Sequence, residues 1–279
     1  MARLDATAER LRRLVPGYPD AYSVETAVPD GPGWYGLDAA PVEDWCAEAR
    51  AQGNPHGLAS VAAMSVGSAL AHAVLGRATA ALALDSVAWD LTAANLVVHR
   101  RPEGYLDRLA LRDGGRTAPG EPVAPGTRPA GATVPPAVLD AVAAAATATL
   151  APLLERVRAA TRFGLVPLWN AVADTVRITA AHVPLHAGRP PRDDLAAALL
   201  DALVVAGAPI RGRGSAQPLP GRAEHVPVRA ACCLYFRTDP PVARRQDALC
   251  TTCPLLARDE RAVRYAAFLD GLQSSGPVR

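Results

Sequence analysis

The spacing of apolar residues changes period more than once along this chain. Residues 5–14 and 42–52 have helical spacing; the first run stops before Pro16, and the second follows Pro41 and ends at Gly53. A Pro/Gly-rich stretch at 29–36 reads as the loop between them. Residues 57–76 carry neither Arg nor acid, and Leu58, Val61, Met64, Leu70, Val74 and Leu75 lie near helical spacing. That run is long enough to cross a membrane. It consists mostly of Ala, Ser and Gly, which contribute little to insertion, so it is read as a buried helix and no membrane span is expected. The period then becomes two. Residues 78–85, 95–100 and 105–113 alternate through Leu82 and Leu84, Leu96 and Val98, and Leu109 and Leu111, which predicts a small antiparallel sheet. Residues 117–136, rich in Pro, Gly, Ala and Thr, read as a linker. Helical spacing returns beyond them. Leu150, Leu153, Leu154 and Val157 mark one long helix, with Pro152 placed to kink or split it. Pro167 starts another, with Trp169, Val172 and Val176 on one stripe, and a third spans 193–205. Residues 210–227 read as irregular, and a last helix is predicted over 255–272. The expected class is α+β and mostly helical, with a body at 1–207 and a C-terminal segment at 208–279.

Composition narrows the function. Half of the 279 residues are apolar and 20% are charged, so the chain has the means to bury a core. The formal net charge of +2 argues against nucleic acid as a partner. All 29 basic residues are Arg, which excludes chemistry that needs a Schiff-base or P-loop lysine. Charge is uneven: residues 1–207 hold 18 Arg against 21 acids, and residues 208–279 hold 11 Arg against 6. The N-terminal twenty residues carry Arg3, Asp5, Glu9, Arg10, Arg12 and Arg13 and have no apolar signal-like core, so a cytoplasmic, reducing location is expected.

Four of the five cysteines lie within 22 residues: Cys232 and Cys233, then sixteen residues, then Cys250 and Cys253. In a reducing compartment such clustering points to metal or redox chemistry. Four thiols suit either a [2Fe–2S] cluster or a tetrahedral zinc ion. Only Cys250-x-x-Cys253 has the form of a zinc knuckle. Adjacent cysteines point to opposite sides of an extended chain, so Cys232 and Cys233 need a bent backbone or a larger centre with separate points of attachment. The spacing leans towards iron–sulfur. The alternative is a non-redox binding module stabilised by zinc. Other candidates read as structural. Pro184 lies between His182 and His186, and no Glu follows the first His. Cys46 reads as a small buried apolar residue, Ser65 and Ser68 lack a nucleophile frame, and His99, Arg100 and Arg101 read as a solvated strand end.

The run Cys232-Cys233-Leu234-Tyr235-Phe236-Arg237, followed by Cys250-Thr251-Thr252-Cys253-Pro254-Leu255, resembles the C-terminal signature of the FhuF family. Pro167-Leu168-Trp169-Asn170-Ala171-Val172-Ala173 is similar to a Trp-containing helix of that family. The likeness is specific over 230–256 and loose over 60–200. The sixteen-residue gap exceeds the family's gap of about ten, the extra length falling around 239–246. The resemblance implies a ferric-siderophore reductase, an enzyme holding [2Fe–2S] on Cys232, Cys233, Cys250 and Cys253. One electron lowers the iron charge and weakens its bonds to hard oxygen donors, which releases the iron. Trp169, Asn170 and Arg237 are candidate substrate contacts, and Tyr235 and Phe236 are candidate shields for the cluster. Arg237, Arg244 and Arg245 lie near the ligands in sequence and, if near in space, would raise the cluster potential. The expected substrate cleft lies between the body and the cluster. No Gly-x-Gly-x-x-Gly follows a strand, since Gly212-Arg-Gly214 lacks the third Gly, so an external donor such as a ferredoxin is expected. The basic C-terminal end suits an acidic donor.

Overall fold

The apolar run at 57–76 forms the centre of the fold. The computed structural model describes residues 2–14, 22–52, 57–112, 133–237 and 249–274. In it, α3 (Ala59–Ala71) continues through one π-helical turn, His72–Gly76, into α4 (Arg77–Asp85). The strand predicted at 78–85 is therefore a helix. Every residue from Arg77 to Leu84 is buried, so no polar face exists to reveal a helical period. The Ala that fill the stretch favour helix, and the spacing of Leu82 and Leu84 is incidental. Arg77, with no exposed surface, donates Nε to the Ser23 carbonyl at 3.0 Å and Nη2 to the Asp107 carbonyl at 2.5 Å. It ties the central helix to the sheet. At Gly67 a Cβ would lie 2.7 Å from Leu168 Cδ2, so a larger residue there would force the Leu168 side chain of α6 (Leu165–His186) to shift.

Around this axis, α2 (Val42–Ala51), α5 (Pro136–Thr161) and α6 pack against α3. Helix α7 (Asp193–Val205) packs on α5 and α6, and α1 (Ala2–Arg13) packs on α4. Helix α5 runs unbroken through Pro152, whose side chain is on the exposed face. The continuous helix 59–85 and α5 are both long and apolar enough to cross a membrane. Here 67% and 50% of their apolar windows are buried against the rest of the protein, as core helices are. The main sheet has the order β1-β4-β3-β2, with β1 (Val24–Glu25), β2 (Trp34–Gly36), β3 (Leu96–Arg100) and β4 (Leu106–Leu111). It is mixed: β2, β3 and β4 are antiparallel, and β1 runs parallel to β4 through Val24 opposite Leu109. Most of the linker expected at 117–136 lies outside the described residues.

The stretch predicted to be irregular at 210–227 contains a hairpin, β5 (Ser215–Pro218) and β6 (His225–Val228). Strands of four residues that include Pro218 and Pro227 carry too little alternation to be recognised. Val226, Val228 and Leu219 join Tyr265 and Leu269 of α8 (Arg258–Ser274) in a second, smaller apolar cluster. His182 of α6 lies against the Tyr265 and Phe268 rings, 5.7 and 4.9 Å between centroids, and so links that cluster to the body. The protein is α+β, largely helical, with one small mixed sheet and this hairpin.

Candidate metal centre

The two cysteine pairs come from segments that flank different elements, one following β6 and the other preceding α8. Buried Asp174 of α6 accepts the Ala230 N–H at 2.6 Å and the Ala231 N–H at 2.9 Å, directly ahead of Cys232. Arg229 joins the two segments. Its backbone N–H donates to the Thr252 carbonyl at 3.0 Å, and its Nε donates to Thr252 Oγ1 at 3.1 Å. Buried Arg261 of α8 holds the second segment from below, donating to the Cys253 carbonyl at 3.0 Å, the Leu256 carbonyl at 2.5 Å and Gln217 Oε1 at 2.7 Å. A guanidinium suits this place because its donors form a rigid fork.

The backbone turns sharply just after the adjacent cysteines. Leu234 has φ +58°, a left-handed conformation uncommon for a branched side chain, and its N–H lies 3.4 Å from Cys232 Sγ. The Cys253 N–H donates to the Cys250 carbonyl at 2.9 Å, which closes the knuckle turn. The Cys250 and Cys253 thiols sense the first pair. Hydrogen bonding with Cys233 lowers the Cys250 thiol to about 7, with help from the Arg229 charge and against the effect of burial. Burial raises Cys253, and Cys232 and Cys233 raise it further. Among the described residues, no three His, Cys, Asp or Glu side chains converge tightly enough to hold a single metal ion. The donor set is four soft thiols, with an N–H directed at one sulfur; thiolates of this kind hold either an iron–sulfur centre or a zinc ion.

Two cavities meet this segment. A cleft of about 550 Å³ has Cys233, Cys250 and Arg229 on one wall and Met64, Ser65 and Ser68 of α3 on another. The β3–β4 turn supplies Arg100 and Tyr105 to its lining. Arg100 pairs with Glu48 at 2.6 Å and lies over the Trp45 ring, while Tyr105 is 71% exposed. A second cavity of about 390 Å³ has Cys232, Asn170, Arg237, Phe163 and Ser60 in its lining.

Of the residues singled out in the sequence, Trp169 is 2% exposed and belongs to the core, so its ring offers no face to a ligand. Asn170 Oδ1 accepts the backbone N–H groups of Arg211 and Gly212, at 3.2 and 2.9 Å, and lines the second cavity, not the cleft. Arg237 also lines the second cavity and lies over the Phe236 ring. The Tyr235 side chain, Arg244 and Arg245 lie outside the described residues. His99 pairs with Asp107 at 2.7 Å and Arg101 pairs with the same carboxylate, and of these strand-end residues Arg100 lines the cleft. Cys46 is buried, and burial raises its thiol to about 11. Sequence reasoning missed Asp174, Arg229, Arg261 and Tyr105. None of them left a signal: Asp174 is two residues from both Val172 and Val176, about 200° round the helix and so off the apolar stripe.

The family described as "Ferric iron reductase FhuF-like transporter" matches residues 67–210, a little over half of the chain. The match covers the body from within α3 to Ile210 and stops before the cysteines. No curated protein and no solved structure matches the chain.

Proposed function

This chain belongs to the FhuF-like ferric iron reductase family, and from that membership we propose that it reduces a ferric siderophore in the cytoplasm, using a [2Fe–2S] cluster held by Cys232, Cys233, Cys250 and Cys253. The observation that carries the proposal is the cleft, which presents two of the four thiols, on Cys233 and Cys250, to a space large enough for part of a siderophore. When bound, such a cluster supplies one electron at a time, at a potential set by its charge, exposure and hydrogen bonds to sulfur.

The protein's own residues have three tasks. Asp174, Arg229 and Arg261 hold the two cysteine segments in register. The Leu234 N–H beside Cys232 Sγ and the Arg229 cation favour the more negative, reduced state of the centre. Arg100, Tyr105 and the α3 serines line the opening and seat the ferric complex against the Cys233 and Cys250 side. Siderophores hold Fe(III) through hard oxygen donors. Iron reduced to Fe(II) is held less strongly and leaves for other ligands.

The test is a visible and EPR spectrum of protein purified without oxygen, before and after dithionite, with metal analysis. The expected result is red-brown protein with about two irons per chain, EPR-silent when oxidised and paramagnetic when reduced. Ferric hydroxamate and catecholate complexes would follow, with released Fe(II) trapped by a coloured chelator. Colourless protein with one zinc and no iron would overturn the proposal in favour of a zinc-stabilised binding module.

A further inference from the structure

Among the described residues, three charged side chains line the cleft: Arg100, Glu103 and Arg229. Two of them have an evident place. Arg100 pairs with Glu48 at 2.6 Å and lies over the Trp45 ring, and Glu103 stands exposed on the β3–β4 turn. Arg229 is different. Its Nε is spent on Thr252 Oγ1, at 3.1 Å, while its two Nη groups have no partner among the described residues. The Thr252 hydroxyl that anchors it lies 3.9 Å from Cys250 Sγ. A half-buried cation is thus fixed at one nitrogen, in the wall that carries Cys233 and Cys250, with its terminal donors unspent. We propose that Arg229 is a catalytic residue of the reduction, its Nη groups donating to the oxygens that hold the ferric ion. This rests on the reductase reading above.

In the transfer step one electron leaves the reduced thiol-bound centre and enters the ferric complex. No proton or atom moves with it, and the complex gains one negative charge. The bonds from iron to the chelating oxygens break afterwards, as Fe(II) passes to another ligand. A fixed cation beside those oxygens therefore interacts more strongly after the electron arrives than before. An interaction that strengthens along the reaction is the kind that speeds it. The geometry of the group also fits. Hydroxamate, catecholate and carboxylate chelators present oxygens in pairs, and a guanidinium offers paired donors in one plane. The anchor on Thr252 sets that plane before substrate binds, so little reorganisation is needed. Arg229 acts on the thiol centre in the opposite sense. Its charge favours the reduced centre and so makes it a weaker reductant. Removing the charge would then speed transfer through the centre and slow it through the substrate, and the sign of the change separates the two.

The experiment follows oxidation of the dithionite-reduced, iron-loaded protein by a saturating ferric tris-hydroxamate in stopped flow. Calorimetry with the Ga(III) complex of the same chelator, equal in charge and not reduced, gives the affinity. Arg229→Gln is expected to slow transfer at least about tenfold, to weaken the gallium complex by a smaller factor, and to keep its iron and its EPR signal. Arg229→Lys keeps the charge without the fork and should fall between. A rate for Arg229→Gln equal to or above that of the unmodified protein overturns the proposal. So does Arg229→Lys as slow as Arg229→Gln, which would assign the residue to holding the cysteine segments. Should Arg229→Gln lose its iron, the unmodified protein carries the test. Phenylglyoxal labelling, read by peptide mass spectrometry, should modify Arg229 in the free protein and spare it when the gallium complex is bound. Equal labelling in the two states, including none in either, overturns the proposal. Absence of iron in the unmodified protein, or its failure to reduce the ferric complex, defeats the reductase reading and this inference with it, and is seen before any variant is made.

Discussion

Asp174 shows how much one side chain decides here. It sits one turn beyond Asn170 on α6, and each uses its side-chain oxygen to hold backbone from the C-terminal segment. Burial pushes the Asp174 carboxyl above its usual range, and the Ala230 and Ala231 N–H groups pull it back. Asp174→Asn keeps one acceptor oxygen and turns an amide donor towards the other N–H. The expected loss is about 1–3 kcal/mol, the cost of a buried group left unsatisfied. It should be read as a lower Tm together with less iron per chain after anaerobic purification. An unchanged Tm and full iron would show that the segment is held without Asp174. Off the Trp169, Val172 and Val176 stripe, Asp174 reads in the sequence as an ordinary exposed carboxylate. Its burial and its partners, 56 and 57 residues away, depend on how the helices pack. The same holds for Cys232 and Cys233. Their type and number announce chemistry, while the left-handed turn at Leu234 that follows them is a backbone conformation no residue type demanded.

Elements were read well where one face is wet and poorly where none is. Helix α7 is found at the bounds its spacing predicts, 193–205, with buried Leu195, Leu199 and Leu203 opposite exposed Asp194 and Asp201. Helix α4 was misread because it has no wet face. Strands β3 and β4 were found because each is flanked by turn residues, and Gly104 takes φ +90° in the turn that joins them. Pro152 is the local signal that the tertiary structure overrides. It lacks the amide hydrogen that α5 would direct to residue 148, yet packing of Leu150, Leu153 and Leu154 keeps the helix continuous. Pro152→Ala restores that donor at an exposed position and is expected to stabilise the protein by up to about 3 kcal/mol, seen as a higher Tm. A lower Tm would mean that α5 depends on the shape the proline imposes.

For the molecule as a whole, two buried histidines make stability fall as the solution is acidified. Burial lowers His72 to about 3 and His182 to about 4. In the unfolded chain both titrate near 6.5. A depressed folded value contributes stability that is present above about 6.5 and lost as pH falls through the folded value, since only the unfolded state then takes up the proton. Each histidine adds a slope of up to about 1.4 kcal/mol per pH unit within its window. For His182 the window is from about 6.5 to about 4. Urea unfolding at several pH values should therefore show stability falling from pH 6.5 downwards. His182→Phe keeps a ring against Tyr265 and Phe268 and should flatten the curve between 6.5 and 4. Parallel curves would show that His182 takes up its proton in the folded state.

From its sequence alone this chain was determined to be an α+β protein, largely helical, whose distinctive chemistry resides in four thiols near its basic end. Period, turn residues and cysteine count are local properties, and each survives without knowledge of the fold. Only the tertiary structure decided which groups face the thiols. It drew Asp174, Arg229 and Arg261 from α6, the end of β6 and α8 to hold the two segments, and it placed Arg100 and Tyr105 at the mouth of a cleft. It also divided the thiols between two cavities. These relations join residues from eight to more than a hundred positions apart. They arise from burying several apolar faces at once, a condition on the whole chain that no single window of sequence contains.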